Sequence, residues 1–528
     1  MAHPSPRNLV PSSGDIQAPS IEDIRARCQD TFGVRACAWQ AEFAQAILAR
    51  KSDVILEVAT GMGKTLAFWL PLLFRSKGIQ IVITTLNTLG KQCVDSLTKA
   101  GIGAVSIDGS LSHEKMAQVF KEIRNKKYRV IIVSPEQLMK EDSHFERLFK
   151  TSGFLEAIIS FIIDEAHVIK TWGTFRPEYR EIERLRYRLR KEIPFALVSA
   201  TMPVLVRQDI SRVIRIRKEN LTTITRSTDR PNVHLVVCKI EYALKSFQDL
   251  AFIINRQELA KPNGLRPPKF LIFFDNITES VAATKYLWSL IGQEHKPEEK
   301  IKWFNSCMSE DYKKGEIEKL RSGELWGLCT TDSFGMGMDL PDIMLIVQYR
   351  VTCNLCSLWQ RFGRGSRDRD LEATAILLAE AKHFDGGCKK TEGKAAGIKR
   401  KRQNGDTSAG SPNKRPTITP AAEPNMPTRI FSSNSPNHAV SALGCLNHSI
   451  QGPDASDNEI EMADSELDEA DEARQVLYST AANIVLKNKR KAAELEPAME
   501  DYINAEGRGL GCRRKVIKLY FSSDKTSE

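Results

Sequence analysis

The feature that most constrains this chain is an alternation, over its first 380 residues, of short apolar runs with longer amphipathic segments. Runs of four to eight apolar residues have the length of buried strands, whereas segments such as Trp39–Ala49 and Glu279–Leu290 have the spacing of crossover helices. Strands that alternate with helices form parallel sheets covered on both faces. The predicted strands are Val54–Val58, Ile79–Thr84, Val130–Ser134, Phe161–Asp164, Phe195–Ser199, Val233–Ile240, Phe270–Phe274, Trp326–Thr330, Ile343–Tyr349 and Ala373–Leu378.

Ten strands are more than a single sheet usually holds. The turn-rich stretch Ser227–Asn232 divides them into two sets of five. We therefore predict an α/β chain with two tandem domains, at residues 30–225 and 230–380, and a flexible segment at residues 1–29.

The alternation ends near residue 380. Residues 403–453 are rich in Asn, Ser, Pro and Thr, and residues 454–472 contain ten acidic side chains and no basic one. Segments of this composition bury too little apolar surface to offset the loss of chain entropy on folding. We therefore predict that residues 381–528 form a mostly disordered charged tail, with short helices around Glu466–Leu486.

The overall composition excludes several classes of protein. The 528 residues include 76 Lys and Arg against 66 Asp and Glu, a net charge of +10 that permits a polyanionic partner without requiring one. No apolar run approaches the ~18 residues of a membrane span, and the first twenty residues lack the apolar core of a signal peptide. Eleven cysteines are too sparse for a disulfide framework, so we expect a reducing, intracellular compartment and no membrane partner.

The first chemical signal directly follows a predicted strand and reads Val58-Ala-Thr-Gly-Met-Gly-Lys-Thr65. In a glycine-rich turn between strand and helix, backbone N–H groups point at phosphates, a lysine reaches the β- and γ-phosphates, and a threonine hydroxyl binds Mg²⁺. Val58 stands where the generic pattern has its first glycine, but the strand context favours a nucleotide site over a chance turn. Its predicted ligands are Thr60, Gly61, Met62, Gly63, Lys64 and Thr65.

The second signal is Phe161-Ile-Ile-Asp-Glu-Ala-His167, in which a strand delivers two adjacent acids at its carboxyl end. Open α/β sheets place their sites at this end of the strands. Asp164 can hold Mg²⁺, and Glu165 can orient and deprotonate the attacking water. A strand with this ending, about 100 residues after a phosphate-binding loop, indicates nucleoside triphosphate hydrolysis.

These motifs resemble those of superfamily 2 helicases, and specifically the RecQ family, over about residues 30–380. The resemblance implies two RecA-like domains that bind ATP and Mg²⁺ between them. Phe32–Gln40 is similar to the nucleotide-sensing segment of the family, in which Gln40 would read the adenine edge. Ser199-Ala-Thr201 matches the segment that couples hydrolysis to domain movement, and His167 would link the ATP site to the second domain.

An aromatic-rich loop carries the most family-specific part of this resemblance. Trp172-Gly-Thr-Phe-Arg-Pro-Glu-Tyr179 is similar to the loop by which RecQ proteins report bound single-stranded DNA to the ATP site. Trp172 and Phe175 offer faces on which bases can stack, and Arg176 can contact a phosphate or the nearby carboxylates. The alternative interpretation is a set of ordinary core aromatics.

Motifs of the second domain complete the resemblance. Thr330–Pro341 matches the T-x-x-F-G-M-G-x-x-x-P pattern of the family, which implies that Asp339 contacts ribose and that Thr330 and Thr331 lie near the DNA backbone. Gln360–Asp368 resembles Q-x-x-G-R-A-G-R-D, so that Arg364 and Arg367 are the candidate arginine fingers. A finger of this kind contributes roughly 10³–10⁵ in rate.

The implied function is that of an ATP-dependent helicase or translocase that moves 3′→5′ on single-stranded DNA. Its expected partners are single-stranded DNA and tailed or forked duplex DNA. Two alternatives stay open at this point: a related motor that acts on RNA, and a catalytically silent protein that binds DNA or chromatin.

Weaker features concern cysteines and basic clusters. Cys353 and Cys356 form a C-x-x-C pair without further ligands nearby, so buried structural cysteines are favoured over a redox pair or half of a zinc site. The cysteines after Asp368 are too widely spaced for a zinc platform, and we expect no zinc. The basic residues within 389–402 resemble a bipartite nuclear import signal, which predicts a nuclear location, and the charged tail offers a contact region for protein partners.

Overall fold

The structure of this chain is a computed structural model that builds two parallel β-sheets covered by helices. This matches the predicted fold class of two tandem RecA-like domains. The residues it describes are 18–84, 87–109, 111–140, 143–169, 178–189, 193–261, 264–334, 340–368, 370–386, 470–478 and 495–521.

The first sheet has seven strands in the order β3-β4-β2-β5-β6-β1-β7, all of them parallel to their neighbours. Because β5, β6 and β1 are adjacent and parallel, the segments that follow these three strands lie side by side at the carboxyl ends of the strands. All six side chains of β5 (IISFII) are buried, as expected of a strand covered on both faces. The strands are β1 (Asp53–Glu57), β2 (Ile79–Ile83), β3 (Ala104–Ile107), β4 (Val130–Val133), β5 (Ile158–Ile163), β6 (Phe195–Ser199) and β7 (Leu221–Thr225).

The second sheet has six strands in the order β10-β11-β9-β12-β13-β8, again all parallel. The link from β7 to β8 is the turn-rich stretch that we took as the boundary between the two sets of strands. The strands are β8 (Val233–Lys239), β9 (Phe270–Phe273), β10 (Ile301–Phe304), β11 (Gly327–Thr330), β12 (Leu345–Tyr349) and β13 (Ala373–Ala379).

Most helices lie between strands, with two before β1 and three after β13, and several are capped by a side chain one residue before they begin. Ser112, Ser309 and Asn354, for example, each accept a hydrogen bond from a backbone N–H of the first turn. The helices are α1 (Ile21–Phe32), α2 (Ala38–Ala49), α3 (Lys64–Trp69), α4 (Asn87–Lys99), α5 (His113–Arg124), α6 (Pro135–Met139), α7 (His144–Phe149), α8 (Ser152–Ala157), α9 (Glu178–Glu181), α10 (Arg184–Arg188), α11 (Val204–Val213), α12 (Arg256–Leu259), α13 (Ile277–Leu290), α14 (Pro297–Lys300), α15 (Glu310–Ser322), α16 (Leu355–Phe362), α17 (470–478), α18 (Pro497–Ile503) and α19 (Arg513–Phe521).

All ten predicted strands are present, with ends that differ by at most three residues from those expected. Three further strands, β3, β7 and β10, were not predicted. Their sequences AVSI, LTTIT and IKWF mix apolar with polar residues. Each of the three lies at an edge of its sheet, where one side of the strand lacks a neighbour and full burial is not required.

The N-terminal prediction was wrong for residues 21–29. We expected a flexible segment, but these residues form most of α1, which begins at the capping box of Ser20 and Asp23. Ile24 and Cys28 are fully buried against α2 and the turn that follows α3. Residues 1–17 lie outside the described part of the chain.

Part of the predicted charged tail is folded, at residues 495–521. These residues form α18 and α19, and side chains such as Met499, Tyr502 and Ile517 are buried in the same core as the second sheet. Arg508, between the two helices, forms a two-pronged ion pair with Asp385, 2.7 Å at each oxygen. The expectation of a short helix around Glu466–Leu486 is met by α17, whereas residues 387–469 and 479–494 lie outside the described part.

The cysteine pair lies beside these C-terminal helices. Burial raises the pKa of the Cys353 thiol to about 12, and the Cys356 thiol lies 3.7 Å from the hydroxyl of Tyr520. No group of three or more potential metal ligands occurs among the residues that the structure describes. Over the same residues, no helix is long and apolar enough to cross a membrane.

Candidate active site

The glycine-rich loop connects β1 to α3, as the sequence predicted. Gly61 and Gly63 have φ angles of +82° and +80°, a left-handed conformation that side chains with a Cβ rarely adopt. The Nζ of Lys64 donates to the carbonyl oxygens of Val58 at 2.9 Å and Ala59 at 3.1 Å. The ammonium group therefore lies within the curve of the loop.

Gln40 packs against the end of this loop. Its Nε2 donates to the carbonyl of Gly63 at 2.9 Å, and its Oε1 accepts from the backbone N–H of Cys37 at 2.7 Å. The side chain is 3% exposed. The predicted nucleotide sensor thus contacts the phosphate-binding loop directly.

The two acids directly follow β5, at the carboxyl end of this central strand of the first sheet. Glu165 has a φ of +49°, and its backbone N–H donates to Oδ1 of Asp164 at 3.0 Å. Burial and the nearby charge of Glu165 raise the pKa of Asp164, whereas Lys64 acts in the opposite direction. The Oε2 of Glu165 is buried without a hydrogen-bond partner among the described residues. The site therefore concentrates negative charge that a cation would stabilise.

The predicted arginine fingers come to this site from the second sheet, beyond the end of α16. A Cβ atom placed on Gly61 would lie 3.5 Å from Cγ of Arg367, so Arg367 packs over the loop. Burial and the neighbouring Arg367 lower the pKa of Arg364 to about 9, while Glu165 opposes that shift. The pKa of Lys64 is lowered mainly by burial, with Glu165 and Asp164 raising it. Lys64, Arg364 and Arg367 thus lie close enough to the two acids for their charges to interact, with Asp164 and Arg364 buried and the others half-buried.

A glutamine on α16 joins the two halves of the site. The Nε2 of Gln360 donates to Nε2 of His167 at 2.8 Å and to Oγ1 of Thr201 at 2.9 Å. Because His167 accepts at Nε2, its proton is on Nδ1, which donates to Oγ of Ser199 at 2.9 Å. Burial lowers the pKa of His167, which favours this neutral form. His167 and Thr201, predicted as coupling residues, therefore meet the same side chain of the second domain.

A second bridge involves the phosphate-binding loop itself. The hydroxyl of Thr60 donates to the carbonyl of Gly363 at 3.2 Å, in the loop that bears the arginine fingers. Thr65, in the first turn of α3, and Met62, in the loop, are both half-buried.

Arg230 is a site residue that sequence reasoning missed. It lies in the linker before β8 and is buried, with 8% of its surface exposed. Its guanidinium donates to the carbonyl oxygens of Gly363 at 3.1 Å, Gly365 at 2.8 Å and Ser366 at 2.6 Å. Arg230 therefore supports the backbone of the arginine-bearing loop. The signal was an arginine within the stretch STDRPN, which we interpreted only as a boundary.

Arg361 was missed as well. It is 3% exposed, and its guanidinium contacts Asp332 at 2.8 Å, Asp275 at 2.5 Å and Gln348 at 2.5 Å. These partners follow β11 and β9 and lie on β12, respectively. Arg361 thus ties α16 to the loop after β9 and to the loop after β11, the second of which follows the predicted DNA contacts Thr330 and Thr331.

The structure describes only some of the residues that were predicted to contact DNA or ribose. Trp172, Phe175, Arg176 and the predicted ribose ligand Asp339 lie outside the described residues. Thr330 is fully buried, and its hydroxyl donates to the carbonyl of Phe304 at 2.9 Å. A direct contact of Thr330 with DNA is therefore excluded in this conformation, whereas its half-buried neighbour Thr331 retains some exposed surface.

Comparison with known families agrees with this geometry. The DEAD/DEAH box helicase model matches residues 37–210, and the helicase conserved C-terminal domain model matches residues 252–369. The ATP-dependent DNA helicase RecQ of Bacillus subtilis is 27% identical over 340 residues, which cover 64% of this chain and 53% of that protein. The ATP-dependent DNA helicase Q1 of Rattus norvegicus is 29% identical over 350 residues, covering 64% and 52%. The chain spans about half the length of these relatives.

Solved structures share the fold at lower sequence identity. The helicase MrfA bound to DNA and AMPPNP matches with a TM-score of 0.54 and 17% identity, over 68% of this chain and 51% of that one. The DEAD-box helicase Mss116p bound to single-stranded RNA and AMP-PNP matches with a TM-score of 0.53 and 19% identity, over 70% and 77%. The chain thus contains a DEAD/DEAH box helicase domain and a helicase conserved C-terminal domain on two RecA-like sheets, and it is RecQ-like in sequence.

Proposed function

We propose that this chain is an ATP-dependent DNA helicase or translocase that couples ATP hydrolysis to 3′→5′ movement on single-stranded DNA and to duplex unwinding. The observation that carries this proposal is the convergence of Lys64, Asp164 and Glu165 with Arg364 and Arg367, because phosphoryl transfer needs these charges around one phosphate. The direction of movement comes from the resemblance to the RecQ family.

The site residues would divide the work of hydrolysis. Lys64 would bind the β- and γ-phosphates, and the oxygens of Thr65 and Asp164 suit Mg²⁺, which prefers such ligands. Glu165, whose Oε2 is buried without a hydrogen bond among the described residues, would hold and deprotonate the attacking water. Arg364 and Arg367 would stabilise charge on the transferred phosphoryl group. The positive charge of bound Mg²⁺ would stabilise the ionised form of the buried Asp164 carboxyl.

The base and sugar of the nucleotide would be read at the rim of the site. We propose that Gln40 contacts the adenine and that Asp339 contacts the ribose. The contact between Gln40 and the carbonyl of Gly63 supports a role in reporting an occupied base site to the phosphate-binding loop.

Movement would follow from opening and closing of the two predicted domains, residues 30–225 and 230–380, about the linker between β7 and β8. Trp172, Phe175 and Arg176 in the first domain, and Thr331 in the second, would hold the strand in turn. Single-stranded DNA and tailed or forked duplex DNA are the proposed partners. Phosphate contacts of this type are sequence-independent and weaken as salt concentration rises.

A nuclear location and protein partners of the charged C-terminal region complete the proposal. The basic residues within 389–402 support nuclear import, and the acidic run at residues 454–472 supports binding to basic proteins. We expect ATP and Mg²⁺ as cofactors and no zinc.

An ATPase assay tests the enzyme assignment. Wild-type protein should hydrolyse ATP in the presence of Mg²⁺ and faster with single-stranded DNA, whereas Glu165→Gln should bind ATP but hydrolyse it at least 100-fold more slowly. Equal rates for the two proteins would favour the catalytically silent DNA-binding alternative. Stimulation by single-stranded RNA in place of DNA would favour the RNA motor.

A strand-displacement assay tests direction. Duplexes with a 3′ or a 5′ single-stranded tail are compared, with Glu165→Gln as the inactive control. The proposal expects displacement from the 3′-tailed substrate, and activity confined to the 5′-tailed one would refute the inherited direction.

A further inference from the structure

The C-terminal helix α19 forms hydrogen bonds to the interdomain linker through the side chain of Arg514. The guanidinium of Arg514 donates through Nη1 to the carboxylate of Asp229 and to the carbonyl of Arg230 at 3.0 Å. Its Nη2 donates to the carbonyls of Val233 at 2.6 Å and Pro231 at 3.3 Å. One side chain thus fixes the linker on both sides of Arg230.

The linker passes this constraint to the arginine-bearing loop. The carboxylate of Asp229 also accepts from the backbone N–H of Arg230 at 2.8 Å, so it holds the backbone from which the Arg230 side chain extends. Arg230 in turn donates to three carbonyls of the loop between Gly363 and Ser366. A continuous set of hydrogen bonds therefore runs from α19 to the loop that carries Arg364.

A second, independent contact from the C-terminal segment holds the start of α16, the helix that leads into the arginine-bearing loop. Glu496, just before α18, accepts from the backbone N–H of Leu355 at 3.1 Å and from the hydroxyl of Tyr520 at 2.6 Å. Leu355 is the first residue of α16, the helix that carries Gln360 and leads into the arginine-bearing loop. Residues 495–521 therefore contact α16 at its start and support the loop at its end.

We propose that residues 495–521 are a positioning element for the arginine fingers, with Arg514 as its principal positioning residue. Arg514 touches neither of the predicted fingers; it acts through the linker and Arg230. The proposal rests on the ATPase function proposed above, because fingers matter only if the site hydrolyses ATP. A misplacement of about 1 Å can lower a rate about 100-fold, so loss of this support should appear in the chemical step.

The test compares two neighbouring arginines in the full-length protein. Arg514→Met keeps the alkyl part of the side chain but removes the four hydrogen bonds to the linker. Arg513→Met is the matched control, since the guanidinium of Arg513 pairs with the exposed Glu506 at 2.8 Å, within the same C-terminal segment. For ATP hydrolysis with saturating single-stranded DNA, we expect Arg514→Met to lower kcat about 10- to 100-fold, with KM for ATP within about twofold of wild type. Arg513→Met should leave both values unchanged.

A variant on the opposite side of the contact keeps the test decisive if Arg514→Met folds poorly. Asp229→Asn retains an acceptor for the N–H of Arg230 but removes the charge facing Arg514, and it should lower kcat in the same way. The double variant should then be no slower than the slower single variant, because both changes break one contact. Thermal unfolding of each protein identifies general destabilisation.

The outcomes separate the two proposals. Absence of DNA-stimulated hydrolysis in the wild type would refute the proposed function. Active wild type together with unchanged kcat in Arg514→Met and Asp229→Asn would refute the positioning role alone, as would an equal fall of kcat in Arg513→Met.

Discussion

Removal of the amide of Gln360 should weaken closure of the ATP site. Gln360 donates two hydrogen bonds from the second domain, to His167 at 2.8 Å and to Thr201 at 2.9 Å. His167 is held by Ser199 in the tautomer that can accept only at Nε2. Gln360→Ala therefore removes both bonds and leaves Nε2 of His167 and Oγ1 of Thr201 without this donor.

The magnitude follows from these two bonds. A hydrogen bond of this kind contributes about 1 kcal/mol net, so their loss disfavours the closed state by about 2 kcal/mol. Each 1.36 kcal/mol changes an equilibrium or a rate about tenfold, so the closed population should fall roughly 30-fold. Because Gln360 does not contact Lys64 or Thr65 in the structure, ATP binding by the open protein should change little.

The assay measures kcat for ATP with saturating single-stranded DNA and, separately, ATP affinity without DNA. We expect Gln360→Ala to lower kcat about 10- to 30-fold and to change ATP affinity by less than about twofold. The control is Gln118→Ala, which removes an amide bonded to Glu122 on an exposed helix face. Wild-type kcat in Gln360→Ala would refute the view that this bridge contributes to the active state.

Three further predictions concern stability. Tyr502 is fully buried, and its hydroxyl forms no hydrogen bond among the described residues. Tyr502→Ala should therefore lower the free energy of unfolding by about 3–5 kcal/mol, whereas Tyr502→Phe should lower it by less than about 1 kcal/mol. Urea denaturation measures both changes, and both would be neutral if this segment were not packed on the second sheet. Burial raises the pKa of Glu57 from 4.5 to about 7 against the pull of Arg207, so the folded state holds a proton that the unfolded chain releases, and stability falls as pH rises from 4.5 to about 7. At pH 8 the free energy of unfolding of Glu57→Gln should therefore exceed that of wild type by up to about 3 kcal/mol, with the difference shrinking toward pH 5; a constant difference would contradict this origin. Asp53 is fully buried and ion-paired to Arg217 at 2.9 Å, so Asp53→Ala should lower stability by about 3–5 kcal/mol in the same denaturation assay, and a change below 1 would contradict it.

The central strands of both sheets could be predicted because their burial on both faces produces uninterrupted apolar runs. The sequence of β5, IISFII, has no other ready interpretation in an α/β chain. Edge strands such as β7, with the sequence LTTIT, lack that signal because one side has no neighbouring strand. Helices α18 and α19 were missed because their apolar residues are few and are split by a glycine-containing turn next to long polar segments.

The candidate site shows the same division. Lys64, Asp164 and Glu165 could be predicted because each belongs to a motif that directly follows a strand and whose spacing is fixed by the chemistry. Arg230 and Arg514 could not, because their roles consist of hydrogen bonds to backbone carbonyls far away in sequence. A carbonyl has no sequence signature, so its partner cannot be recognised before the fold is known.

The return of residues 495–521 to the second sheet has a topological consequence. The core of that unit is discontinuous in sequence: it is begun by strands that end at Ala379 and completed by α17, α18 and α19, which follow only after residues 387–469. For a flexible connection, each doubling in length costs only about 0.6 kcal/mol of closure free energy. An insertion between Ala379 and α17 therefore adds little closure free energy, while the last helices remain packed on the second sheet. Such an architecture gives evolution a site for insertion inside a structural unit rather than at its end.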